Sequence, residues 1–63
     1  MIDEHTQNLL NHVHSLGVIH APDQVSHAAA NKLLEMGYIR QVWIGTFALT
    51  EAGERVRREA WRS

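Results

Sequence analysis

The chain has 63 residues, 44% of them hydrophobic and none of them cysteine, and a net charge of −1. That length makes one small domain with a thin stability margin, since such a chain buries only about 60% of its unfolded surface. The composition excludes a disulfide framework, a thiolate metal site and a membrane span, because no apolar run nears the ~20 residues a span needs.

The distribution of charge is more informative than its sum. Residues 1–31 hold three acids and no Lys or Arg, whereas residues 32–63 hold all six basic residues against four acids. All five histidines fall in the first 27 residues. The opening MIDEHTQ places no Lys or Arg ahead of an apolar stretch, unlike a signal peptide, so a cytoplasmic protein is expected.

Residues 3–16 are predicted helical, with Leu9, Val13 and Leu16 on one stripe widened by Leu10. Asp3 or Thr6 is available near its start and Gly17 ends it. Val18 and Ile19 form a short apolar connection that can pair with the edge of a later hairpin, completing a three-stranded sheet. A second helix is predicted over 23–36. Pro22 suits its first turn and Asp23 complements its dipole. Val25, Ala29, Leu33 and Met36 give its apolar stripe, with Ala28, Ala30 and Leu34 alongside.

Gly37 is placed to stop that helix in a left-handed conformation. Tyr38 to Leu49 then reads as a hairpin around Gly45, with Ile39, Phe47 and Leu49 as core candidates and Trp43 partly exposed near the turn. Thr50 offers an N-cap oxygen to a last helix over 51–61. That helix is expected to bury Ala52, Val56 and Ala60, and Gly53 near its start implies close approach to another element. The architecture is α+β, in the order α-α-β-β-α, as one domain over residues 1–63.

The succession of a helix ending in L-x-x-x-G-Y-I (Leu33 to Ile39), a small hairpin, and L-T-E-A-G-E-R (Leu49 to Arg55) opening a helix resembles bacterial and phage winged-helix DNA-binding domains. The resemblance covers residues 23–60, the C-terminal half of that fold, with the hairpin as its wing. A full winged helix has a further short helix before its recognition helix, and between Gly17 and Pro22 there is no room for one. Either the helix at 3–16 serves in its place or the chain is a reduced relative.

The resemblance implies a prokaryotic transcriptional regulator that binds double-stranded DNA as a homodimer, through the helix at 3–16 or the helix at 51–61. It makes helix 23–36 the recognition helix, with Gln24, Ser26, His27, Asn31 and Lys32 facing bases and phosphates. Arg40, Gln41, Trp43 and Thr46 are the wing contacts it implies. The plain alternative for the helix is a solvated polar face. For Trp43 the alternatives are a protein hot spot or a cover for the small core.

Arg55, Arg58 and Arg62 share a face of the last helix, but Glu51–Arg55 and Glu54–Arg58 pairs at i, i+4 make it a salt-laced solvated face. Arg57, Arg62 and Trp61 remain as partner contacts. His12-x-His14 with His20 and His27 invites a metal reading, but His12 and His14 point about 200° apart on a helix and cannot share an ion. His5 and His12 share a face, yet no Cys or suitably spaced carboxylate completes a tetrahedral set, so no metal and no cofactor is expected. With no cysteine nucleophile, glycine-rich phosphate loop or convergent carboxylates, the chain reads as a non-enzyme. The rival to DNA binding is a non-catalytic protein-interaction module of the same fold, an adaptor or inhibitor of phage or plasmid origin. Charge separates the two. DNA binding calls for Lys32, Arg40 and two of the C-terminal arginines on one surface, and an adaptor calls for Trp43 or Trp61 in an apolar patch.

Overall fold

A computed structural model describes residues 3–62, with Trp61 and Arg62 described in their backbone alone. Helix α1 spans Glu4–Leu16, strand β1 Ile19–His20, helix α2 His27–Met36, strands β2 Ile39–Trp43 and β3 Thr46–Leu49, and helix α3 Glu51–Arg62. The three strands form an antiparallel sheet in the order β1-β3-β2. One side of the sheet carries the core, built from Leu10, Val13, Ile19, Val25, Ala30, Leu33, Ile39 and Phe47. Among the described residues no helix is long and apolar enough to cross a membrane.

Each helix starts at a side-chain cap. Asp3 accepts from the Thr6 amide at 2.9 Å, Ser26 from the Ala29 amide at 3.1 Å, and Thr50 from the Gly53 amide at 3.0 Å. Gly37 ends α2 with φ +78°, and its amide and that of Tyr38 cap the carbonyls of Leu34 and Leu33. The expected third strand exists one residue later than anticipated. Ile19 and His20 pair with Phe47 and Thr46, and Val18 stays outside the ladder.

Helix α2 starts at His27, four residues after the predicted Asp23. Residues 21–25 form a turn instead, closed by the amides of Gln24 and Val25 on the His20 carbonyl. Pro22 lies in this turn and not in a helical first turn, and the Ala21–Pro22 peptide is cis. Ser26 is the cap of α2, and Val25 in the turn is buried in the core. No helix precedes α2 between β1 and the turn.

Three expected core residues are exposed. Leu16 and Met36 lie in the last turns of α1 and α2 and are 49% and 44% exposed. Ala52 is exposed because α3 turns Gly53, not Ala52, toward the sheet, with Val56 and Ala60 half-buried behind it. Ala28, expected beside the apolar stripe of α2, is exposed as well.

Gly53 meets the anticipated close approach. A Cβ built there would lie 2.0 Å from the Tyr38 carbonyl oxygen, whereas one at Gly17 would meet nothing within 4 Å. Gly53→Ala is therefore expected to lower unfolding free energy by about 1–3 kcal/mol or more through overpacking against backbone. Gly17→Ala should cost only the backbone strain of its positive φ, about 1–3 kcal/mol. Phe47→Ala should cost about 3–5 kcal/mol, and the half-buried Val56→Ala less. Urea melts rank all four, and a Gly53→Ala midpoint equal to wild type would show that α3 is free to shift away from Tyr38.

Candidate nucleic-acid interface

Helix α2 packs on β2 with one side only. Ala30 and Leu33 are buried there, and Ala29 and Leu34 are half-buried beside them. The opposite face is exposed and presents His27, Ala28, Asn31, Lys32 and Glu35. Its first turn carries no acid, whereas α1 and α3 begin with Glu4 and with Glu51 and Glu54. The positive end of the α2 dipole is thus the one that its own first turn leaves uncompensated. Ser26 occupies the Ala29 amide, and no helical partner exists for the amides of His27 and Ala28.

Lys32 stands where α2 faces the first turns of α1. It lines an apolar groove of about 230 Å³ with His5, Thr6, Leu9, Ala28, Ala29 and Leu33. Its ammonium lies close enough to Asp3 to help lower that carboxyl, although the Thr6 hydrogen bonds do most of the lowering. Two expected readers are occupied elsewhere. Gln24 Oε1 accepts from the His20 amide at 2.9 Å, and Ser26 is the cap of α2, so neither belongs to the helix face.

The hairpin sorts its residues by a register irregularity. Ile39 pairs with Leu49, Arg40 with Ala48 and Gln41 with Phe47, but the next pair is Trp43 with Thr46, which leaves Val42 as a bulge. Paired antiparallel residues share a face. Ile39, Leu49, Phe47 and Gln41 therefore lie on the side of the helices, while Arg40, Ala48, Thr46, Trp43 and His20 lie on the outer side. Lys32 and Arg40, expected on one surface, are on opposite sides of the sheet. Gln41 is the wing residue that stays on the side of α2.

Exposure at the hairpin exceeds expectation. Trp43 is 72% exposed and Ile44 83%, with Val42 also open. Trp43 does not cover the core. Sequence reading missed Ile44, which precedes the left-handed Gly45, and His20, whose outward position follows from its alternation with the buried Ile19.

The arginines of α3 divide in two. Arg57, anticipated as a partner contact, is held on Glu54 by bonds of 2.6 and 3.2 Å and has a side chain only 13% exposed. Glu54 also meets His14 of α1 at 3.2 Å and Arg58 at 3.8 Å. Gln7 of α1 reaches the Arg57 carbonyl at 3.4 Å. Helices α1 and α3, each expected as a dimer contact, thus cover each other on one side. Arg55 and Arg58 are exposed on the far side of α3. The parts of those readings that concern the Trp61 and Arg62 side chains fall outside the described residues.

Among the described residues no group of three or more His, Asp or Glu is placed to hold a metal ion. No protein-family model, curated protein or solved structure matches this chain.

The Arg57 hydrogen bond holds the Glu54 carboxyl below its usual value of 4.5, with His14 contributing. A carboxyl lowered by folding stabilises the native state above its unfolded pKa, and the contribution fades as pH falls through the folded value. Wild type should therefore exceed Glu54→Gln in melting temperature at neutral pH, with the gap closing below pH 4.5. A gap constant from neutral to acid pH would mean that the ionised pair contributes nothing.

Proposed function

We propose that the chain is a reduced winged-helix domain that binds double-stranded DNA, with α2 in the major groove and the hairpin as its wing. The observation that carries this reading is the outer face of α2. It is a free, polar helix face whose uncompensated N-terminus favours phosphate, in an element order that resembles winged-helix regulators. Asn31 can pair with an adenine edge, and His27 and Lys32 can reach bases or phosphates. Gln41 lies on the same side of the sheet. Arg40, Trp43 and Thr46 face away from this surface, so the set of Lys32, Arg40 and C-terminal arginines on one surface that DNA binding calls for is not met. The exposed Trp43 beside exposed Val42 and Ile44 favours a second reading, a non-catalytic protein-interaction module.

One cation on the surface makes the binding weak and only mildly salt-dependent. An amide NMR titration with a short duplex at low salt is expected to shift residues 27–32 and Gln41. Lys32→Ala should weaken binding to all sequences and reduce the salt slope by about one. Asn31→Ala should relax sequence preference, by about 1–3 kcal/mol where it pairs with a base. Shifts confined to Arg55 and Arg58 would reject α2 as the reading helix.

A further inference from the structure

We propose that the outer face of the sheet binds an unpaired nucleotide, with the Trp43 indole stacking on the base and the Arg40 guanidinium holding phosphate. This goes beyond the duplex reading, because it uses the side of the sheet opposite α2.

The face is assembled from all three strands. His20, Thr46 and Trp43 form one cross-strand row, and Ala48 and Arg40 form the next outward row. Buried Thr46 and half-buried Ala48 of β3 thus lie between an imidazole, an indole and a guanidinium. Rows on one face of a sheet are about 7 Å apart along a strand. A base and its own phosphate span a comparable distance.

Each group has the chemistry for the role. Trp43 is 72% exposed while Phe47 is buried and Tyr38 half-buried, so the core is closed without it. An indole face accepts any base by stacking. The Thr46 hydroxyl donates to the Ile44 carbonyl at 3.3 Å and so accepts from His20 Nδ1 at 3.0 Å. That leaves His20 Nε2 as an acceptor for a base edge.

Charge selects the occupant. Residues 38–49 contain Arg40 and no carboxylate, and β1 holds no carboxylate either, so the one formal charge on the sheet is positive on a chain of net charge −1. The bulge at Val42 and the charge of Arg40 disfavour the other obvious occupant, a strand added along the free edge of β2. A polyanion with flat faces fits both features of the surface.

The test is a fluorescence titration of the Trp61→Phe protein, in which Trp43 is the one remaining indole, with a short oligothymidylate at low salt. Quenching that is reversed by salt is expected. By anisotropy of a labelled oligothymidylate, Trp43→Ala should weaken binding about 5- to 150-fold while Trp43→Phe keeps most of it. Arg40→Gln should reduce the salt slope by about 0.7. Circular dichroism of each variant should match wild type, since both side chains are exposed. Equal binding by Trp43→Ala, absence of quenching, or equal quenching by polyglutamate would each overturn the proposal, the last by pointing to an acidic protein partner. Duplex binding and its response to Lys32→Ala are read separately, so failure of the duplex reading leaves this test intact.

Discussion

Four elements of this domain converge on two residues, Tyr38 and Thr50. The Tyr38 amide caps α2 through the Leu33 carbonyl, and its own carbonyl accepts from the Thr50 amide at the end of β3. The Thr50 hydroxyl donates to the Gly37 carbonyl and accepts from the Gly53 amide, so one side chain closes α2 and opens α3. Only glycine at position 53 lets α3 start this close to the Tyr38 backbone. With eight buried hydrophobic residues among those described, the chain gains little from burial alone, and this junction fixes the direction in which α3 leaves the sheet. That direction in turn lays α3 on α1, where Glu54, His14, Arg57 and Gln7 complete the contact.

The junction also decides what is left free. With α1 and α3 covering each other and the core side of the sheet, the outer faces of α1 and α3 are open, as are the far side of α2 and the outer side of the sheet. The last two differ in character. The first is a mixed polar helix face with a single lysine and a single glutamate, and the second is a flat strand surface with an indole, an imidazole and an arginine. A chain with six basic residues cannot build one strong electropositive face when Arg57 is spent on Glu54 and the rest are divided among α2, the sheet and α3.

The parts of the fold legible in the sequence were those with local chemistry. Gly37, Gly45, Thr50 and Asp3 each act through neighbours within a turn or cap, and Ile39 and Phe47 are core in a domain with few large side chains. The start of α2 was not legible because two capping signals compete. Pro22 with Asp23 and Ser26 both announce a helix, and the burial of Val25, a tertiary fact, decides for Ser26. Leu16, Met36 and Ala52 fit helical stripes but sit where nothing packs against them.

The hairpin shows most clearly why the site resisted a reading from pattern. A strict alternation puts Trp43 on the side of Ile39 and Gln41, facing the helices. The bulge at Val42 moves it across the sheet to the side of Arg40 and Thr46. No periodicity reveals that shift, because an extra residue in one strand is visible only against its partner. Its effect is chemical as well as geometric. Without the bulge, Arg40 would share the outer face with His20, Thr46 and Ala48 but not with the indole. With it, a cation and the most exposed aromatic among the described residues share one face, which is the least that recognition of a flat anionic ligand requires.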